Sequence, residues 1–388
     1  MVTQATQDFI RLHCNEDVRQ LALLGGKQPE VDLKYALEQI AGRQKARTKL
    51  PSWAIVDDII YPPHLSMEQC SSETTALYKA RIAGSGDFMV DLTAGFGVDA
   101  AFISKGFKRV VTIEQLEQLC VISSANFRRL GLNHIEVVCG NGVEYLHTLE
   151  HADLLFIDPA RRDEHGARTF GVADCTPNVL ELIDEMIAKS DRVMVKLSPM
   201  LDWRKAVADI GWVREVHIVS VDNECKELLL VASMKEQPLR LYCVNNGDVF
   251  ECDAYESAGS AIISMDTTPS WLYEPNASIM KAGCFRVLSE RFHLTALDRN
   301  SHLFVSDEEV TDFPGRRFVI DKVTSMNKRE LKVALSGIQK ANITVRNFPM
   351  TVAELRKRLK LQDGGDTYIF ATTVAGKGHQ LFVCRKKS

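Results

Sequence analysis

The segment Val90-Asp-Leu-Thr-Ala-Gly-Phe-Gly-Val-Asp-Ala100 holds the densest chemical pattern in the chain. Gly95 and Gly97 lie between a β-rich run and a helical run, where backbone can turn tightly and approach a ligand. The spacing Gly95-Phe-Gly97-Val-Asp-Ala100 fits G-x-G-x-x-A, a dinucleotide pattern that is weak by itself. Asp91 points elsewhere. A carboxylate so close to the glycines repels a diphosphate and attracts a cation, such as an α-ammonium or a sulfonium. Glu114 ends the next β-rich run, where an acid can bind both ribose hydroxyls. Asn141, in Cys139-Gly140-Asn141, can hydrogen-bond an adenine edge. Acid, glycines, acid and amide at successive strand ends describe a pocket for S-adenosylmethionine better than one for NAD.

A second cluster follows the fourth β-rich run, in Ile157-Asp-Pro-Ala-Arg-Arg-Asp163. Asp158 is placed to accept a hydrogen bond from a nucleophilic amine. Pro159 stiffens the loop, and Arg161 and Arg162 could hold a phosphate or orient Asp158. The fifth run ends in Lys196-Leu-Ser-Pro-Met200. Lys196 reads equally as a catalytic or substrate contact and as a lysine snorkelling from a strand end.

These residues need a scaffold that brings strand ends together. From Phe88 onward, short β-rich runs (88–92, 109–113, 135–138, 153–157, 192–196) alternate with helical stretches. Such alternation predicts a parallel sheet covered by helices on both faces. The last two runs, 216–219 and 228–232, leave no room for a helix between them, so a hairpin with one antiparallel strand closes the sheet. Residues 1–50 read as helical, with a break at Gly25-Gly26 and a second helix over 31–40. A basic run follows (Arg43, Lys45, Arg47, Lys49), either a nucleic-acid contact or solvated surface. Beyond Pro238 come short strands and a helical stretch near 277–291. The tail holds a helix over 328–338, a strand at 343–345, a helix capped by Thr351 and Glu354, and a final hairpin around Ala375-Gly-Lys-Gly378.

At 388 residues the chain has room for two or three domains, and an apolar content of 45% is that of a soluble globular protein. From Arg316 to Ser388 there are 16 Lys and Arg against 5 Asp and Glu, in a chain whose net charge is -4. A basic tail on an acidic body points to a polyanionic partner. The ten cysteines show no CxxC spacing, and read as buried hydrophobes in a reducing cytoplasm. No metal site is expected. Neither a secretion signal nor a membrane span is legible.

Asp91-Leu-Thr-Ala-Gly-Phe-Gly97, Glu114, Gly140-Asn141 and Asp158-Pro-Ala-Arg161 resemble the motifs of class I S-adenosylmethionine-dependent methyltransferases. Asn223-Glu-Cys-Lys-Glu-Leu228, Tyr273-Glu-Pro-Asn276, Ile279-Met-Lys-Ala-Gly283, Lys340-Ala-Asn-Ile343, Arg346-Asn-Phe348 and Leu355-Arg-Lys357 extend the resemblance over nearly the whole chain. They point to a bacterial family, common in Bacteroidetes, with a ferredoxin-like and a THUMP-like domain. The resemblance implies an α/β Rossmann-like methyltransferase sheet, mostly parallel with one antiparallel strand. It implies a helical region at 1–68, a methyltransferase domain at 69–236, a ferredoxin-like-fold domain at 237–315 and a THUMP-like domain at 316–388. Cofactor contacts fall on Asp91, Thr93, Ala94, Gly95, Gly97, Glu114, Gly140, Asn141, Asp158 and Pro159, with Ser72 in a segment covering the cofactor. Asp158, Lys196 and Arg161 are the expected catalytic set, and the expected partner is tRNA or rRNA. Cys243, Cys252 and Cys284 lack iron–sulfur spacing. Two features depart from commoner patterns: Thr93 stands where the first glycine is usual, and Arg161 stands where amino-methylating enzymes carry an aromatic. Uracil-carbon methylation needs a cysteine at the end of the fifth strand. Ser198 there is too weak a nucleophile without a base. A catalytically inactive RNA-binding protein and an NAD-dependent oxidoreductase are the rival readings.

Overall fold

The computed structural model describes residues 2–23, 30–161, 171–256 and 269–387, and of Arg161 only the backbone. Gly25-Gly26, the Arg161 side chain and Arg162 therefore lie outside the described part. The chain divides into two compact units, residues 1–216 with 226–237, and residues 217–225 with 238–388.

The first unit opens with helices α1 (Gln4–His13), α2 (Val18–Ala22), α3 (Leu33–Lys49), α4 (Pro51–Ala54), α5 (His64–Gln69) and α6 (Glu73–Ala83). α3 runs nine residues past the expected end at Ile40. Lys, Arg and Gln are good helix formers, and the single Gly42 does not break the helix before Pro51. The basic run is thus the last turns of α3, and much of it is tied to the protein itself. Lys49 Nζ donates to the carbonyls of Met67 (3.0 Å) and Glu68 (2.6 Å), and Lys45 Nζ lies 2.9 Å from the Glu68 carboxylate. A nucleic-acid role for these lysines is not needed to explain them; they fasten the end of α5.

Strands β1 (Gly86–Asp91), β2 (Phe107–Glu114), β3 (Ile135–Cys139) and β4 (Ala152–Ile157) follow, with α7 (Val98–Ile103), α8 (Glu117–Arg129) and α9 (Gly142–Thr148) between them. The two-residue strands β5 (Ala160–Arg161) and β6 (Cys175–Thr176) pair antiparallel beyond β4. α10 (Val179–Ala188), β7 (Ser190–Leu197), α11 (Trp203–Ile210), β8 (Val213–Val221) and β9 (Glu224–Ala232) complete the series. β8 lies beside β9, and from β9 the order runs β9-β7-β4-β1-β2-β3. From β7 to β3 all neighbours are parallel, and β7 and β9 run antiparallel. The expected closing hairpin turns at Asp222 and Asn223, whose φ angles of 51° and 61° suit short polar side chains. α6, α9, α10 and α11 begin on Ser72, Asn141, Asn178 and Asp202, each accepting a first-turn N–H. One sheet face packs Met89, Val110, Leu154 and Met194 against Ile103 and Ala83; a second core joins Phe96, Phe102 and Phe127 to Leu50, Trp53 and Tyr61 of the N-terminal helices.

The second unit contains the hairpin β10 (Arg240–Asn245) and β11 (Asp248–Asp253). It continues with β12 (Trp271–Pro275), α12 (Ala277–Ala282), α13 (Phe285–Arg291), β13 (Thr295–Ala296) and β14 (Phe304–Ser306). The tail is β15 (Gly315–Ser325), α14 (Lys328–Ala334), β16 (Asn342–Arg346), α15 (Val352–Leu359), β17 (Thr367–Val374) and β18 (Gly378–Lys387). Seven strands form one sheet, β13-β14-β12-β15-β18-β17-β16. The capping box closes as expected: Thr351 N–H donates to Glu354 Oε2 and Glu354 N–H to Thr351 Oγ1. The Tyr273–Asn276 motif serves the fold. Tyr273 Oη accepts from Val310 N–H, buried Glu274 receives Arg316 Nε at 2.7 Å and an Arg346 nitrogen at 3.1 Å, and Asn276 caps α12. Phe348 packs partly buried in the tail core, edge-on to His379 at 5.2 Å. Among the described residues no helix is long and apolar enough to cross a membrane.

Candidate active site

The site is built where the strands of the first unit end. Asp91 closes β1 and is 1% exposed. The chain beyond it is stitched to both neighbours: Leu92 N–H donates to Phe156 O of β4, and Ala94 N–H to Ile113 O of β2. Thr93 N–H donates to Asp91 Oδ1 at 3.0 Å. Thr93 Oγ1 accepts the Asp158 N–H at 2.7 Å, which locks the loop after β1 to the loop after β4. A glycine at position 93 could not do this, which explains that departure physically. Gly97 caps α7 with φ 81°, and a Cβ there would lie 2.6 Å from Phe127 Cζ. Gly95, at φ 57°, faces open space.

Glu114 ends β2 and binds two backbone donors, Gly95 N–H through Oε2 and Leu116 N–H through Oε1, both at 2.8 Å. Each oxygen keeps a lone pair for a further donor. Together these loops bound a cavity of about 940 Å³. Its wall carries Asp91, Thr93, Ala94, Gly95, Gly97, Glu114, Gly140, Asp158, Pro159 and Lys196. One lip is Ser66, Gln69, Cys70 and Ser71; the other is Pro199, Met200 and Leu201.

Two expected contacts are placed differently. Asn141 does not line the cavity; its Oδ1 accepts Val143 N–H at 2.8 Å and caps α9. Ser72 likewise is a helix cap, accepting Thr75 N–H at 3.3 Å, and Ser71 faces the cavity instead. Both belong to the residue types that helix N-termini recruit, and that competing use decides their orientation. The Arg161 side chain lies outside the described residues.

Asp158 and Lys196 open a row of alternating charges whose other members, Asp99, Lys79 and Glu227, the sequence patterns do not single out; all but Lys79 line the cavity. Lys196 Nζ lies 2.6 Å from Asp158 Oδ2 and 3.5 Å from Asp99 Oδ2. Lys79 Nζ lies 3.2 Å from Asp99 Oδ1 and donates to both Glu227 oxygens, at 2.6 and 2.7 Å. Ser71 Oγ donates to Asp99 Oδ2 at 2.7 Å and accepts from Lys79 Nζ at 3.2 Å. Lys79 is fully buried and Glu227 3% exposed. A signal was present: Lys79 lies on the same helix face as Ala76 and Ala83, where a charge must find a partner.

Burial sets the proton affinities. It holds the Asp91 carboxyl well above the usual carboxylate range, and the Thr93 N–H offsets this only in part. Burial lowers Lys196, but Asp158, Asp99 and Glu227 raise it further, so its ammonium stays charged through the physiological range. Asp99 is raised by burial and lowered more by Lys79, Lys196 and Ser71, and ends below its ordinary value. Burial lifts Glu227 despite Lys79 and Lys196. The Cys70 thiol at the lip is pushed up to about 11, chiefly by burial, and is a weak nucleophile at neutral pH. Among the described residues no cluster of His, Cys, Asp and Glu is arranged to hold a metal ion.

A parallel sheet in this order, with its last hairpin strand antiparallel and a ligand-sized crevice over the strand ends, is the Rossmann-like methyltransferase architecture. Comparison with known proteins agrees. Residues 271–314 match a ferredoxin-like domain model and residues 315–386 a THUMP domain-like model. A crystal structure of a candidate methyltransferase from Porphyromonas gingivalis W83 is 30% identical and covers 100% of both chains, with a TM-score of 0.89. An rRNA methylase from Streptococcus thermophilus covers 40% of this chain and 92% of its own, at 16% identity and a TM-score of 0.29. A candidate methyltransferase from Streptococcus mutans in complex with SAH covers 41% and 94%, at 12% identity and 0.30. No curated protein matches. With one match running from end to end, the chain belongs to the bacterial family that joins a class I S-adenosylmethionine-dependent methyltransferase fold to ferredoxin-like and THUMP-like domains.

Proposed function

We propose that the protein transfers a methyl group from S-adenosylmethionine to a base nitrogen of structured RNA, a tRNA or rRNA. The observation that carries this reading is Asp91: a buried carboxylate on the cavity wall with one hydrogen bond and, among the described residues, no ion pair. Such a group fits a cationic, hydroxyl-bearing ligand and not a diphosphate. The name of the Porphyromonas gingivalis relative supports it.

When bound, the sulfonium supplies an activated methyl group, so the carbon–sulfur bond breaks with its electron pair returning to sulfur while a carbon–nitrogen bond forms. The protein's share is alignment. Asp91 offers charge to the cationic end, and Glu114 has lone pairs left for ribose hydroxyls. Gly95 lets the backbone approach closely. Asp158 accepts the hydrogen bond of the target nitrogen, whose proton passes to solvent after transfer. Lys196, held as an ammonium, cannot serve as a base; it orients Asp158. Ser198 and a protonated Cys70 argue against a covalent route to carbon. The basic tail docks RNA through phosphates and shape.

Calorimetric titration with S-adenosylmethionine tests the cofactor, with Asp91→Ala expected to abolish binding. Labelled cofactor incubated with total RNA from a strain lacking the gene should mark one RNA species, and nucleoside mass spectrometry would name the product. Absence of cofactor binding, or label passing to protein or a small molecule, would overturn the reading.

A further inference from the structure

Four members of the row, Asp158, Lys196, Asp99 and Glu227, line the cavity, and Lys79 is wholly buried behind them, between Asp99 and Glu227. Burying ions is costly, and apolar side chains of similar volume commonly serve a core as well. Packing therefore gives no reason for Lys79 and Glu227 to be charged. Geometry does. Lys196 has two competing acceptors and sits closer to Asp158 (2.6 Å) than to Asp99 (3.5 Å). Asp99 is already engaged by Lys79 and Ser71.

We propose that Lys79 and Glu227 are positioning residues: by engaging Asp99 they leave Lys196 to Asp158, whose carboxylate is thereby aimed at the target nitrogen. The inference rests on the reading of the cavity as a methyl-transfer site. Glu227 has its own part: its two carboxylate oxygens accept from Lys79 Nζ at 2.6 and 2.7 Å and fix where that ammonium meets Asp99. With the pair removed, Asp99 keeps only Ser71 and Lys196. Lys196 then swings toward Asp99, and Asp158 loses its donor.

The test is the double variant Lys79→Met/Glu227→Leu, which removes both charges together. Methyl transfer to total RNA from a deletion strain should fall tenfold or more in kcat, with KM and cofactor affinity changed less than threefold. Adding Asp99→Asn removes the competitor for Lys196 and should restore most of the rate; a merely structural role predicts no such rescue. If the double variant does not fold, Ser71→Ala is the milder form of the same withdrawal, with a smaller kcat loss rescued by Asp99→Asn. A second readout needs no activity. In protein carrying 15N-lysine, the Nζ resonance absent from Lys196→Met should shift on Asp158→Asn in the otherwise native chain and stay put in the double variant. Native kcat in the double variant, or an equal response to Asp158→Asn in both backgrounds, overturns the proposal. Should the native chain bind no cofactor, the methyl-transfer reading falls by itself, and the resonance decides the coupling.

Discussion

Asp91 is the residue on which the site's electrostatics turn, and its burial has a sign. The carboxyl is raised above its ordinary 3.8 in the folded, ligand-free chain. A group raised on folding stabilises at low pH, and that contribution is lost as pH climbs from about 4 through the raised value. Glu227 is raised too and acts in the same direction. Asp99, lowered, acts the opposite way, but only in acid below its ordinary value. The contribution of Asp91 and Glu227 to the melting temperature of the ligand-free protein should therefore fall as pH rises above their ordinary values, and Asp91→Asn should flatten part of that slope. A cationic ligand favours the ionised form, so cofactor binding should release protons. Calorimetry in buffers of different ionisation enthalpy reads this directly; an enthalpy independent of buffer would show that Asp91 is already ionised without ligand. That Asp91, Gly95, Glu114, Asp158 and Lys196 would meet around one crevice was legible, because each stands at or just past a strand end. Lys79, Asp99 and Glu227 were not, since each is an ordinary charge in sequence and only packing brings them within 4 Å of a partner. Asn141 and Ser72 carry the right types, but helix caps need the same types.

At the scale of elements, the loop after β1 is set by one close approach. Gly97→Ala meets both a left-handed φ and the Phe127 ring. The backbone term costs about 1 kcal/mol, and overpacking adds about 1–3 kcal/mol. A melting-temperature loss is expected, with Phe127→Leu recovering the second part but not the first. The lip of the cavity depends on another junction. Lys49 holds the carbonyls at the end of α5, the helix that supplies Ser66 and Gln69. Lys49→Met should cost about 1 kcal/mol in stability and weaken cofactor binding several-fold, as measured by denaturant titration and calorimetry. An unchanged affinity would mean the lip is held without it. The alternation of runs from Phe88 predicted every main strand of the first sheet, because a parallel strand buried on both faces leaves a continuous apolar signature. The end of α3 was less legible, since a basic run is compatible with helix and with loop. Gly42 did not stop it: its hydrogen lies where a Cβ would strike Tyr61 at 2.3 Å, so the glycine is there for packing.

Over the whole molecule, charge is segregated by sequence, with the basic excess in residues 316–388 on a chain that is net acidic. Side-chain geometry shows which of these charges are committed to the fold. Arg316 and Arg346 hold Glu274, Arg356 pairs with Asp363 at 2.6 Å, and Arg385 with Asp321 at 2.7 Å. Lys357 and Lys360, at the end of α15, are exposed. If the tail docks RNA through phosphates, each lysine that contacts one releases condensed counterions. The logarithm of the binding constant then falls with the logarithm of salt by about 0.7 to 0.9 per contact. Lys357→Gln/Lys360→Gln should therefore lower the slope by about 0.7 to 1.8 and weaken binding most at low salt. Cofactor affinity should be untouched, since neither residue lines the cavity. Fluorescence anisotropy with labelled tRNA, at salt from about 50 to 200 mM, measures the slope. A slope identical to that of the native chain would take these two lysines out of the RNA-binding surface, and a native chain with no salt dependence would remove phosphate contact as the basis of docking altogether.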